Sequence, residues 1–486
     1  MKTYKIFING KWINSTSGKT FKSINPANEK PLAKFQQGNE TDVNKAVAAA
    51  NLAYKKWKDV PPPKRGEILF NFSLLLRKHK EELARLVTQE MGKVISEGRG
   101  DVQEAIDTAD YFASEGRRLF GHTTTSELRE KFAMTVRMPV GVFGLITPWN
   151  FPTSIPAWKI LPALICGNTV VFKPATDTPL CAIRFMELLE KAGVPPGVVN
   201  MVTGSGRDVG TPIVRHLDIR GISFTGSRET GEFIIREAGL KKVGLELGGK
   251  NGVIVMDDAD LNLALDGIIW GAFGTTGQRC TATSRIIVHK DVKSKLEEML
   301  INRIHKLRLG DGLQKTTDVG PLINKAAADK SHGYVQIGKR EGAKLICGGD
   351  YHGNKGFFYQ PTLFTDVDPD MRIAQEEIFG PVLSLIPVKN LDEAIEVMNN
   401  IKYGLSSAIY TKSVGPAFKA IQNIEAGLTY INSSTIGSEV HLPFGGVKGT
   451  GHTKEAGIHG IDEFSEIKTV YVDYSDKLQK AQIDAD

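Results

Sequence analysis

Between Val140 and Val255 the chain repeats one local pattern: a short apolar run, a turn, then a helical stretch. The runs are VGVFGLIT, NTVVFKP, VVNMVTG, GISFTG, KVGLEL and NGVIVM. Strands alternating with helices at intervals of about 20 to 30 residues must be joined by crossovers, and crossovers build a mostly parallel, doubly wound sheet. No other feature narrows the fold so far. Sheets of this kind take ligands in the crevice outside the carboxyl ends of their strands, so the pattern also says where to look for a site.

A second alternating region, from about residue 285 to 430, offers SRIIVHK, AKLICGG, PVLSLIPV, SSAIYT and GLTYINS as strands, with KSKLEEMLINRIHKL and LDEAIEVMNNI as helices. It predicts a second α/β lobe. Residues 41 to about 120 read as helical, opening at a Thr41/Asp42 cap, with a long amphipathic stretch from Lys64 onward. Two segments, GHTTTSELREKFAMTVRMP and IKTVYVDYS, read as exposed β structure that another subunit must cover.

Composition excludes several classes. At 486 residues, 41% hydrophobic and 24% charged, the chain has globular values and room for two or three domains. The 61 basic and 55 acidic residues alternate without a basic arm, so no nucleic-acid partner is expected. No uncharged apolar run approaches the roughly 18 residues that span a bilayer, and MKTYKIFINGKW has no signal-peptide core; no membrane is expected, and the cytoplasm is the expected location.

The four cysteines form neither CxxC pairs nor a metal-ligand spacing, so no metal is expected and each thiol stands alone. Cys166, Cys181 and Cys347 lie in apolar runs, as buried cysteines do. Cys280 does not: GTTGQRCTATSR surrounds it with Gly, Thr and Gln and places Arg279 beside it. A reactive thiol needs a low pKa or a base, an oxyanion donor and a partner to react with. ITPWNF offers Asn150 at a strand end, LELGGK offers Glu246 and EEIFGP offers Glu377. Singly, each also fits a cap, a turn or a surface carboxylate.

Two glycine-rich turns, TGSGRDVG (Thr203–Gly210) and FTGSRETG (Phe224–Gly231), follow predicted strands. Either can bring backbone amides to a phosphate. Neither matches the GxGxxG dinucleotide fingerprint, and no acidic residue stands in a clear ribose position downstream. Lys173 ends NTVVFKP, where a strand-end lysine is either solvated or in contact with a ligand.

Taken together, PWNFP, KPA, FTGS, LELGGKN, GQRC, EEIFGPV, YGLSSAIYT and PFGGVKGTG resemble the motifs of the aldehyde dehydrogenase superfamily, in its order and from Phe7 to Tyr474. The resemblance implies two doubly wound open-sheet α/β domains and a small β oligomerisation element. Residues 1–120 with 139–247 would bind NAD(P), 248–450 would be catalytic, and 121–138 with 451–486 would assemble a homodimer or homotetramer. It implies Cys280 as nucleophile, Asn150 as oxyanion donor and Glu246 as general base. Implied cofactor contacts are Thr147, Pro148, Trp149, Lys173, Thr176, Gly206, Gly226, Ser227, Leu247, Glu377 and Phe379. Implied substrate contacts are Phe151, Trp158, Arg279 and Thr281.

Three refinements follow. Glu246 is commonly lacking in relatives that pass the acyl group to coenzyme A, so its presence implies hydrolysis to a free acid. Thr176 stands where strongly NAD-preferring branches carry a Glu that would repel a 2′-phosphate, so the expected cofactor is NAD or NADP, with NADP accepted. Arg279 can grip an anionic head group bidentately or form an internal salt bridge. GQRCTATSR with HLPFGG looks most like the branch acting on 2-oxoglutarate semialdehyde, with aminoadipate and succinate semialdehydes next. Benzaldehyde-type or general aliphatic aldehydes are the enzymatic alternative, and an inactive nucleotide-binding relative the remote one.

Overall fold

The computed structural model describes residues 1–482. Five of the expected strands form the parallel part of the first sheet, in spatial order Lys242–Glu246, Gly221–Thr225, Val142–Ile146, Thr169–Lys173, Val199–Met201. Their continuous apolar character follows from helices covering both faces; the neighbouring strands Val142–Ile146 and Thr169–Lys173, for example, are buried at every position. An antiparallel hairpin, Ile6–Ile8 with Lys11–Ile13, completes the edge. Its two-residue turn is Asn9-Gly10, both at positive φ (52° and 71°), the conformation that a two-residue hairpin favours and that Asn-Gly supplies.

The chain builds outward from Val142–Ile146 to Val199–Met201, then returns to the other side of Val142–Ile146 with Gly221–Thr225. That reversal opens a crevice beyond the carboxyl ends of these two strands. NGVIVM leaves the first series: Asn251–Val255 lies in the second sheet, between Thr283–His289 and Ser406–Tyr410. The order there is Lys344–Cys347, Thr362–Thr365, Val382–Val388, Thr283–His289, Asn251–Val255, Ser406–Tyr410, Leu428–Ile431, parallel except for the first strand. Only Leu247–Lys250 separates the last strand of one sheet from the first traced strand of the other, so Glu246 sits at the seam.

The helical region holds four helices, Glu40–Trp57, Pro62–Lys78, Lys80–Met91 and Ile95–Glu115. The first is capped by Asn39, not Thr41/Asp42: the Asn39 side chain accepts from Asp42 N–H and the Asp42 carboxylate accepts from Asn39 N–H, a capping box. The long stretch from Lys64 breaks at His79 (φ −105°, ψ 13°). The strand Thr362–Thr365 and the helices Leu261–Phe273 and Lys325–Glu341 were not anticipated. The two exposed segments do pair: Ser465–Asp473 runs antiparallel to Lys131–Pro139 over their full nine residues, with Thr123–Thr125 on the far side. Among the described residues no helix is long and apolar enough to cross a membrane.

Candidate active site

The strand Val142–Ile146 runs into Thr147-Pro148-Trp149-Asn150-Phe151 at the crevice. Asn150 is buried, and its Nδ2 donates to the carbonyl of Gln278 at 3.0 Å. A primary amide has two N–H donors, so one remains for another acceptor. Gln278 lies two residues before Cys280, so this bond ties the first sheet's loop to the approach to the thiol.

That approach is a tight turn. After the helix Leu261–Phe273 the chain passes through Thr275 (φ 52°, ψ 25°) and Thr276 (φ 58°, ψ 33°), then Gly277 at φ 71°. Non-glycine residues held in sparsely populated regions cost of order 1–3 kcal/mol each, and persist only where the surroundings over-determine them. Here Thr276 Oγ1 donates to the Gly320 carbonyl at 2.9 Å, and Gln278 Oε1 accepts Ile323 N–H at 2.9 Å. Asn251, at the start of its strand, donates Nδ2 to the carbonyls of Cys280 (2.8 Å) and Ala282 (2.9 Å). The backbone at Cys280 is fixed from both sides.

Cys280 and Glu246 open onto one cavity of about 690 Å³, whose walls include Phe151, Trp158, Leu247, Arg279 and Thr281. Glu246 is buried and neither carboxylate oxygen has a hydrogen-bond partner. Burial foremost, and then the Glu455 carboxylate, hold its pKa well above the ordinary range; Lys159 acts in the opposite direction. Lys159 is itself buried, donating to Ser223 Oγ at 2.8 Å and pairing with Glu455. Burial pushes the Cys280 thiol up to about 12, with the Glu246 and Glu377 carboxylates adding to it. At neutral pH the thiol of the ligand-free protein is therefore protonated.

Raising the pH increases the thiolate fraction tenfold per unit as long as the pH stays below the pKa. Alkylation of Cys280 by iodoacetamide should therefore climb about tenfold per pH unit between about pH 7 and 10, followed by peptide mass analysis. A plateau near pH 8 would contradict it. Cys166, Cys181 and Cys347 are buried and should stay unlabelled.

The cofactor candidates gather at the carboxyl ends of the first sheet. Lys173 ends its strand buried, with one hydrogen bond, to the Pro174 carbonyl at 2.8 Å, and burial lowers its pKa to about 8. Two ammonium donors remain for a ligand. Ser227 caps the helix Arg228–Glu237 directly after Gly221–Thr225, an N-terminus suited to a pyrophosphate. Gly226 is sterically required, since a Cβ there would strike the Phe224 ring; Gly206 faces open space. Thr176 is half-buried, and the Asp177 carboxylate beside it accepts from Asn324 Nδ2 at 3.0 Å.

Glu377 lies against the Leu247–Lys250 link: its Oε1 accepts Gly249 N–H at 2.9 Å, and a Cβ on Gly248 would collide with its carboxylate. Its other oxygen is left for a hydroxyl. Phe379, at φ 60°, meets Trp149 edge-on with ring centroids 5.5 Å apart. This donor and acceptor set fits a dinucleotide, with Thr147 and Pro148 on the loop that follows the strand Val142–Ile146; Thr147 N–H donates to the Lys173 carbonyl at 3.3 Å.

The Arg279 guanidinium is already engaged. Its Nη2 donates to Glu97 at 2.9 Å, its Nε donates to Thr275 Oγ1 at 2.9 Å, and it lies over the rings of Phe151 (5.5 Å) and Trp270 (5.8 Å). The internal salt bridge is formed, and a fully bidentate grip on a ligand is not open to it; Nη1 remains. Carboxylates that sequence reading did not single out line the same cavity: Glu97, Asp101, Glu104 and Asp107 from one face of the helix Ile95–Glu115. Their spacing by three and four residues was the available signal. Lys159 also went unnoticed, although a lysine inside the apolar helix SIPAWKILPALI marks a buried charge that needs partners.

Known proteins resemble this chain in sequence and in fold. The sequence pattern of the aldehyde dehydrogenase family matches residues 12–470. The alpha-ketoglutaric semialdehyde dehydrogenase of Bacillus subtilis is 42% identical over 479 residues, covering 97% of this chain and 98% of that one. The 2,5-dioxopentanoate dehydrogenase of Saccharolobus solfataricus is 41% identical over 478 residues, covering 97% and 99%. A crystal structure of betaine aldehyde dehydrogenase from Staphylococcus aureus in complex with NAD+ superposes with a TM-score of 0.96 at 35% identity, covering 98% of this chain and 95% of that one. By sequence over nearly its whole length and by fold, this chain belongs to the aldehyde dehydrogenase family.

Proposed function

We propose that the protein oxidises an aldehyde to the free carboxylic acid, using Cys280 as nucleophile, Asn150 as oxyanion donor and Glu246 as base. The observation that carries this reading is Glu246: a buried carboxylate with both oxygens unpartnered, opening onto the same cavity as the thiol. Cys280 Sγ releases its proton to solvent water and adds as the thiolate to the aldehyde carbon. The carbonyl oxygen becomes an alkoxide, received by the remaining Asn150 N–H and by the backbone N–H of Cys280, and losing one such donor typically costs about 2.7–4 kcal/mol of barrier. The dinucleotide, when bound, supplies the hydride acceptor. Glu246 then takes a proton from water, whose oxygen attacks the acyl carbon on Sγ, and the acid leaves as the thiol is restored. Detecting free acid, and no acyl-coenzyme A, tests the hydrolytic step.

Thr176 supports acceptance of NADP beside NAD, because no carboxylate at that position repels a 2′-phosphate. A kcat/KM with NADP far below that with NAD would remove this reading. The substrate reading is a carboxylate-bearing semialdehyde such as 2-oxoglutarate semialdehyde. It rests on what the two relatives are named for and on Arg279, the only Lys or Arg among the described residues of the cavity wall. The aromatic wall of Phe151, Trp158, Trp270 and Phe444 favours benzaldehyde-type substrates as the second reading. With Glu97 already holding the guanidinium, Arg279→Ala should lower kcat/KM for carboxylate-bearing aldehydes about three- to tenfold more than for propanal or benzaldehyde, as expected of a partly screened ion pair. Equal losses across a panel of initial rates would end the head-group role.

The division into 1–120 with 139–247, 248–450, and 121–138 with 451–486 suits the two seven-stranded sheets and the three-stranded sheet of Thr123–Thr125, Lys131–Pro139 and Ser465–Asp473. The last of these leaves Ile467, Tyr471 and Tyr474 exposed beside an open strand edge, which supports assembly as a dimer or tetramer.

A further inference from the structure

We propose that Glu97 is a positioning residue: from the first lobe it clamps the left-handed turn that sets Cys280 and, through Gln278, the oxyanion donor Asn150. The inference rests on the reading of Cys280 as nucleophile. Both Glu97 oxygens accept the backbone N–H of Thr275, at 2.9 and 3.0 Å. The same carboxylate holds Arg279 Nη2 at 2.9 Å, and Arg279 Nε returns to Thr275 Oγ1 at 2.9 Å, which closes a ring around the turn. A Cβ on Gly274 would come within 3.0 Å of Glu97 Oε1, so the glycine before the turn leaves room for this carboxylate.

The geometry makes the clamp specific to catalysis. Thr275 and Thr276 are β-branched residues in a backbone region that such residues avoid, and they are almost completely buried. Their other restraints, Thr276 to Gly320 and Gln278 to Ile323, lie within the second lobe. Glu97, 178 positions earlier in the chain, supplies the restraint from across the seam. Downstream of the turn come Gln278, whose carbonyl receives the Asn150 amide, and Cys280, whose own N–H is the second oxyanion donor. Relaxing the turn moves both donors relative to the aldehyde oxygen. Arg279 thereby acquires a role independent of any substrate head group.

The test uses the full-length protein and propanal, which carries no charge for Arg279 to hold. Glu97→Ala should lower kcat about 10- to 100-fold with KM changed less than about threefold, the size of loss that a misplacement near 1 Å can produce. Glu97→Gln keeps a side-chain oxygen for Thr275 N–H and should recover kcat to within about fivefold of wild type. Dinucleotide affinity by fluorescence titration should be unchanged in both variants, which shows them folded. A kcat for Glu97→Ala within twofold of wild type overturns the proposal, as does a Glu97→Gln variant impaired as badly as the alanine. Cys280→Ser, measured alongside, separates the two levels: if it retains turnover, the nucleophile reading falls and this inference with it. If it is inactive while Glu97→Ala is normal, only the clamp falls.

Discussion

Cys280→Ala is expected to lower kcat for aldehyde oxidation by at least about 10⁴-fold, the scale seen when a covalent nucleophile is removed from an acyl-transfer site. No other thiol can take its place. Cys166, Cys181 and Cys347 are buried, and none of them lines the cavity that Cys280 shares with Glu246. Direct attack by water on the aldehyde would lack the covalent adduct that places the carbon beside Asn150. Binding should survive, because the cavity wall that holds Cys280 includes neither Lys173 nor Ser227, which serve the phosphates and ribose in this reading. The measurement is reduced-dinucleotide formation by absorbance, paired with fluorescence titration of the dinucleotide. Residual turnover above about 1% of wild type, with binding intact, would assign the chemistry to another group, since it exceeds what the remaining donors supply.

Much of this is legible in the sequence itself. The strand runs announced two open sheets because a doubly wound sheet buries its strands on both faces, and continuous apolar runs survive in a sequence as plain text. Cys280 stood out because its neighbours cannot form an apolar shell, and the structure leaves it partly accessible at the cavity wall. What could not be read is the set of interactions made by residues far apart in the chain. Glu97 meets Thr275 across 178 positions and Lys159 meets Glu455 across 296, and neither pairing leaves a local period. Short elements were lost for another reason: Thr362–Thr365 spans four residues, too few for any periodicity to accumulate. The cap at Asn39 shows the usual one-turn uncertainty at a helix start, since Asp42 is a capping residue too, but from position N3.

Glu246→Gln is expected to split the reaction in two. The first turnover should release about one equivalent of reduced dinucleotide per site, because nucleophilic addition and hydride loss need Cys280 and Asn150 but not the base. Later turnovers should slow by about 10²–10⁴-fold, the usual contribution of a general base, with an acyl adduct on Cys280 detectable by mass. In the wild type burial, and then the Glu455 carboxylate, hold the Glu246 pKa well above the ordinary carboxylate range, so the hydrolytic rate should rise with pH as Glu246 loses its proton. The Gln variant should lose that limb. It should also make the thiol more reactive: the Glu246 charge raises the Cys280 pKa, so removing it increases the thiolate fraction once the pH is high enough for Glu246 to be ionised in the wild type. Faster alkylation together with stalled hydrolysis is a pairing that simple misfolding cannot produce, since a disordered site would lose the burst as well. Hydrolysis within threefold of wild type, or a missing burst, would remove Glu246 from the role of base and leave its unpartnered carboxylate as an electrostatic restraint on the thiol alone.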